Sequence, residues 1–151
     1  MTVPANGTPA PDFSALSQHG ESVKLSGLRG NPVVIIFYPW AFSSICRSEL
    51  AEIRDHANEL NTLKAHVLAL SCDAMFTLRA FADQEGIDFS LLSDHWPHGA
   101  IARSYGVFDD NRGCAIRGTF VVGPDGMIVW QVVNSIAEAR RLDDLLQSLS
   151  T

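Results

Sequence analysis

The apolar residues of the first half of the chain switch from an unbroken run to a helical spacing. Val33-Val34-Ile35-Ile36-Phe37-Tyr38 contains no polar residue, the pattern of a strand buried on both faces. Pro39 ends it, because proline has no amide to offer a ladder. Cys46, Leu50, Ile53, Ala57 and Leu60 then recur at steps of four, three, four and three. That spacing traces one stripe of a helix over about 44–61. His66-Val67-Leu68-Ala69-Leu70-Ser71 follows as a second buried strand. Strand, helix and strand in this order predict a parallel pair with a right-handed connection.

On the N-terminal side, Phe13, Leu16, Val23 and Leu25 surround Gln18-His19-Gly20-Glu21, which predicts a short hairpin or two edge strands. Downstream, a helix is expected over 75–85, stopped by Gly86, then a short strand over 89–92. A short helix should start at His95-Trp96-Pro97-His98 and end at Gly106. The runs 119–122 and 127–133 flank Gly123-Pro124-Asp125-Gly126, a turn sequence for antiparallel strands. Ile136, Leu142, Leu145, Leu146 and Leu149 make the last segment amphipathic. The sum is an α/β fold, a mixed central sheet flanked by helices, in a single domain over 1–151.

Composition narrows the function. With 151 residues, 46% of them hydrophobic, the chain can bury a core without staples. A net charge of −6 argues against nucleic acid or an anionic membrane surface as the main partner. The chain has no apolar run of spanning length, and its first residues lack a basic stretch followed by an apolar one, so neither a membrane span nor a signal peptide is expected. Cys46, Cys72 and Cys114 are an odd set without a CxxC pair. They fit reduced thiols in the cytoplasm better than disulfides or a zinc site. His66, His95 and His98 match no zinc spacing with them, so no metal is expected.

Cys46 opens the helix that follows Pro39. Ser43 or Ser44 can cap that helix through its hydroxyl, and the first-turn amides and helix dipole favour negative charge on the Cys46 sulfur. The candidate nucleophile competes with a plainer reading, a small apolar residue opening a core stripe. Cys72 and Asp73 end the second strand on the same sheet edge, where ligands bind in open parallel sheets. Arg117, between apolar residues at the mouth of a strand, needs an anionic partner; it serves either a site or a structural ion pair. Glu49, one helical turn after Cys46, could hold that guanidinium or remain an exposed first-turn acid. Trp40 and Trp96 line the pocket, make a subunit contact or pack in the core.

The segment Phe37-Tyr38-Pro39-Trp40-Ala41-Phe42-Ser43-Ser44-Ile45-Cys46 resembles the Pro-x-x-x-(Thr/Ser)-x-x-Cys signature of peroxiredoxins. Arg117-Gly118-Thr119-Phe120-Val121-Val122 is similar to their arginine-bearing strand, and Ala10-Pro11-Asp12-Phe13 to their N-terminal motif. Ala41-Phe42, Ser93-Asp94-His95-Trp96-Pro97-His98-Gly99-Ala100 and Tyr105-Gly106-Val107-Phe108 resemble the one-cysteine alkyl hydroperoxide reductase E group of actinobacteria. The likeness covers nearly the whole chain and implies a thioredoxin-like fold.

It also implies a thiol-dependent peroxidase acting on hydrogen peroxide, organic hydroperoxides or peroxynitrite. Cys46 would be the peroxidatic nucleophile, Ser43 a hydrogen-bond partner of sulfur and peroxide, Pro39 a shield against water, and Arg117 the cation of the pocket. No cofactor is implied. Ser43 stands where the family usually has threonine, keeping the hydroxyl without the methyl that restricts it.

The resemblance further implies a homodimer and an outside reductant, either a small thiol or a glutaredoxin- or thioredoxin-like protein. Cys72 is the internal alternative for resolving the sulfenic acid. Cys114, three residues before Arg117, should point to the opposite face of a regular strand. Two other functions remain open. A thiol-disulfide oxidoreductase is disfavoured because Ser43 occupies the place of its second cysteine; a redox sensor would oxidise Cys46 without turnover.

Overall fold

The computed structural model describes residues 2–136 and 140–149. Its elements are β1 (Ser14–Ser17), β2 (Ser22–Lys24), β3 (Val33–Phe37), α1 (Ser44–Asp55), α2 (Ala57–Thr62), β4 (His66–Ser71), α3 (Met75–Glu85) and β5 (Ser90–Ser93), followed by α4 (Ala100–Ser104), β6 (Phe108–Asp109), β7 (Cys114–Ala115), β8 (Arg117–Val122), β9 (Ile128–Asn134) and α5 (Leu142–Leu149).

Seven strands form one sheet in the order β2-β1-β5-β4-β3-β8-β9. β3 pairs in parallel with β4, and β4 with β5, as helix-length crossovers require. β8 joins the other side of β3 antiparallel, and β9 follows through the Gly123–Gly126 turn. The hairpin of β1 and β2 completes the opposite edge.

Alternation along the strands divides the core in two. Ile35, Phe37, Leu68, Leu70, Cys72, Phe120 and Val122 face one cluster with Tyr105 and Val107. Ile36, Tyr38, Ala69 and Val121 face the other, with Cys46, Leu50, Leu78, Phe81 and Leu145 from α1, α3 and α5.

Three sequence expectations change in detail. The helix over 44–61 is two helices, because His56 leaves helical geometry at φ −101°, ψ 19°. Its amide is shared between the Glu52 and Ile53 carbonyls, and its ring nitrogen lies 2.8 Å from the Glu52 carbonyl. Leu60 nevertheless stays buried on the predicted stripe. The helix expected from His95 begins only at Ala100, where the Asp94 carboxylate accepts the amides of Ile101 and Ala102 at 3.0 and 2.9 Å. Cys114 and Arg117 do not share a strand, since β7 pairs with β6 in a separate ribbon. Strand alternation therefore does not relate their side chains.

Burial, reinforced by Asp94 and Cys114, pushes the Cys72 thiol up to about 12. Cys114 and the phenols of Tyr38 and Tyr105 are raised as well, chiefly by burial. The folded chain keeps these protons where the unfolded chain releases them, so the unfolded state binds fewer protons and stability falls as pH rises. The melting temperature should drop progressively above about pH 9, and Cys72→Ala should flatten the first part of that slope. Thermal scans between about pH 8 and 11 test this, and an unchanged melting temperature would contradict it.

Candidate active site

Tyr38 donates its amide to the Leu70 carbonyl at 3.1 Å before the chain leaves the sheet at buried Pro39. A tight turn follows. Ser43 donates its amide to the Trp40 carbonyl at 3.4 Å, and Ala41 donates to Asp73 Oδ2 at 2.8 Å. Phe42 adopts φ +71°, a conformation that costs a bulky residue about 1–3 kcal/mol. Its ring lies edge-on to Phe81, with centroids 5.0 Å apart, which offsets part of that strain.

Ser43 occupies the cap position of α1 with extended backbone, but its hydroxyl makes no capping bond. Ser43 Oγ and the Tyr38 hydroxyl are buried without a hydrogen-bond partner among the described residues. An unpaired buried hydroxyl is costly, so Ser43 offers an unused donor beside the helix start. Cys46 is 0% exposed, and its first-turn amide has no helical carbonyl four residues back.

Glu49 is not the exposed first-turn acid that its position alone allows. It is 5% exposed and paired with Arg117, which is 2% exposed. Arg117 opens β8 on the same face as Val121, the face that packs around Cys46. Its Nη1 donates to Glu49 Oε1 and its Nε to the Ile136 carbonyl at 2.7 Å. The ion pair that the sequence allowed for Arg117 is formed, and it is made with the helix that carries Cys46.

A second arginine joins the pair. Arg140 donates its backbone amide and its Nε to Glu49 Oε2 at 2.6 and 3.0 Å. Its Nη1 reaches Thr119 Oγ1 at 2.9 Å and its Nη2 the Phe37 carbonyl at 2.6 Å. Burial lowers its pKa and the Arg117 charge adds to that, while Glu49 opposes it. Sequence reasoning missed Arg140, which lies in no periodic segment and no motif; only the fold brings it to Glu49.

Cys72 lies across the sheet, in the cluster opposite that of Cys46. Its neighbour Asp73, rather than the thiol, reaches the active-site turn. Trp40 and Trp96 are 40% and 84% exposed, so neither packs in the core.

Residues 6–131 match the AhpC/TSA family model. The chain belongs to the AhpC/TSA family. Among relatives in this family, it is 42% identical over 135 residues to alkyl hydroperoxide reductase E of Mycobacterium tuberculosis, covering 89% of this chain and 88% of that one. It is 32% identical over 151 aligned positions to peroxiredoxin-2 of Rattus norvegicus, covering 93% and 75% of the two chains. The crystal structure of Enterococcus faecalis AhpC superposes with a TM-score of 0.89 at 29% identity, over 99% of this chain and 92% of that one. Peroxidoxin BcpB from Mycobacterium tuberculosis gives 0.86 at 30% identity, over 96% of each chain. The AhpC/TSA fold is thus common to sequence and structure.

Removing Glu49 would leave two buried guanidiniums unpaired. Glu49→Ala should cost about 3–5 kcal/mol in urea denaturation. A loss below about 1 kcal/mol would mean that the arginines behave as surface charges.

Proposed function

We infer that this chain is a thiol-dependent peroxidase in which Cys46 is the nucleophile. The observation that carries the assignment is the charge arrangement around the cysteine helix. Two guanidiniums share one carboxylate, which leaves one positive charge in excess to stabilise an anionic sulfur. In the reaction, Cys46 Sγ attacks the terminal oxygen of a peroxide, forming an S–O bond as the O–O bond breaks. Sulfur is oxidised to the sulfenic acid and the leaving group departs as hydroxide or alkoxide, which takes up a proton, or as nitrite in the case of peroxynitrite. Arg117, the Ser43 hydroxyl and the Cys46 amide are the donors we assign to that developing charge. Pro39 closes the water side of the pocket. Hydrogen peroxide, organic hydroperoxides and peroxynitrite fit this chemistry.

The sulfenic acid then meets an outside thiol, which forms a mixed disulfide and releases water; a second thiol returns Cys46 to its reduced form. A small thiol or a glutaredoxin- or thioredoxin-like protein can supply both. We prefer this to resolution by Cys72, because Cys72 packs on the other face of the sheet and burial holds it as a neutral thiol. The buried free thiols fit a reducing compartment, and we assign the cytoplasm and one domain over 1–151.

A homodimer is the assembly we propose. Leu16, Phe76 and Trp96 are exposed large apolar residues, and they line one groove of about 530 Å³ with Met75, Pro97 and Ile101. A second copy seated there would remove that patch from water. Sedimentation should give a dimer that Phe76→Glu converts to monomer; a monomeric parent protein would refute it.

Cys46→Ser should abolish peroxide consumption in the presence of a thiol reductant, and Arg117→Ala should lower the rate of Cys46 oxidation by about 10²–10³. Intact mass after stoichiometric peroxide should show one added oxygen, trappable on Cys46. Retained activity in Cys46→Ser would remove the assignment, and oxidation without turnover would favour a redox sensor.

A further inference from the structure

Asp73 lies two residues beyond β4, which ends at Ser71, and belongs to none of the groups given a chemical role above. Its carboxylate nevertheless crosses to the neighbouring segment and accepts the Ala41 amide at 2.8 Å. Ala41 stands between Trp40 and Phe42, inside the turn that leads into α1. The same Oδ2 accepts the Ser71 hydroxyl at 2.7 Å, and the Asp73 amide donates back to Ser71 Oγ at 3.3 Å. Its carbonyl is held in turn by the Ser93 hydroxyl at 2.7 Å. The carboxylate is therefore aimed by β4 and β5, two interior strands, before it meets the turn.

What it holds is strained. Phe42 lies in the left-handed region at φ +71°, which a bulky side chain occupies only when its surroundings impose it. Besides the turn's own bond from the Ser43 amide to the Trp40 carbonyl at 3.4 Å, relaxation is opposed from outside by the edge-on packing of Phe42 against Phe81 and by the Asp73 bond to Ala41. Phe42 is itself largely exposed, so the ring contact restrains it from one side only. Relaxation at Phe42 would move Ser43, the residue immediately before α1, and with it the unpaired hydroxyl at the helix entrance.

Tyr38 gives a second, independent sign that this corner is kept in a set arrangement. Its hydroxyl is fully buried and unpaired, and it lies in the field of Ser71, Asp73 and Cys46 together.

We propose that Asp73 is a positioning residue for the peroxidase reaction: through the Ala41 amide it holds the strained Trp40–Ser43 turn closed, and so sets the Ser43 hydroxyl and buries Cys46. It touches neither peroxide nor sulfur. The proposal rests on the peroxidase reading of Cys46. Its consequence is that loss of the carboxylate changes two reactivities of the same thiol in opposite directions. Peroxide reduction needs donors set to within fractions of an ångström, whereas a reagent that makes no use of those donors needs only access to sulfur.

The test compares wild type, Asp73→Ala and Asp73→Asn as full-length reduced proteins. Two rates are followed: oxidation of Cys46 by hydrogen peroxide in stopped flow, and alkylation of Cys46 by iodoacetamide, mapped by peptide mass to separate it from Cys72 and Cys114. Asp73→Ala should oxidise roughly tenfold more slowly and alkylate faster by about the same factor, as expected of local opening. Asp73→Asn keeps one oxygen for the Ala41 amide and should fall between, and it carries the comparison if the alanine variant does not fold. Both rates unchanged, or both reduced together, would overturn the role of Asp73. Retention of peroxidase activity in Cys46→Ser would instead overturn the reading beneath it, so the two failures are distinct.

Discussion

Glu49 is where three distant parts of the chain meet. Its two carboxylate oxygens receive Arg117 from the start of β8 and Arg140 from the segment before α5, while Glu49 itself rides on α1 beside Cys46. Burying three charges carries a desolvation penalty of several kcal/mol for each. Apolar residues of the same size would stabilise the protein as well or better, so stability does not account for the cluster. The cluster instead ties β8 and the segment before α5 to the helix that carries Cys46.

The rest of the architecture keeps that helix in place. β3 is buried on both faces and delivers the chain to Pro39 at a defined point on the sheet edge. The parallel pairing of β3 with β4 then brings Asp73 alongside the turn that β3 feeds. One side of the turn is thus tied by a carboxylate from β4 and the other by a ring from α3. The turn carries backbone strain and an unsatisfied hydroxyl, two costs that a segment selected only for stability would shed. Both costs are concentrated between Tyr38 and Cys46.

The two sides of the sheet have divided roles. Tyr105, Val107 and Cys72 fill one face with packing; Cys46 and the helices that surround it occupy the other. This division separates two thiols that sequence alone puts on a single edge. Cys72 directly follows β4 and continues its alternation, packing with Leu68 and Leu70 on one face while its neighbour Asp73 supports the turn.

Sequence by itself determined the α/β order of elements, the unbroken β3 and the cysteine at a helix start, because these depend on local periodicity and on residues close in the chain. It also located Arg117, whose charge is conspicuous in an apolar strand. It left Glu49 undecided and was silent on Arg140. The break at His56 and the delayed start of α4 turn on single hydrogen bonds, which periodicity does not register. Tertiary structure decided that Glu49 is buried, that Arg140 completes its pairing, that Asp73 rather than Cys72 reaches the active-site turn, and that Ser43 leaves its hydroxyl unused. The first three are contacts between residues far apart in sequence, which exist only once strand order and register fix which side chains share a face, and the last is a hydroxyl that the folded turn leaves without a partner among the described residues.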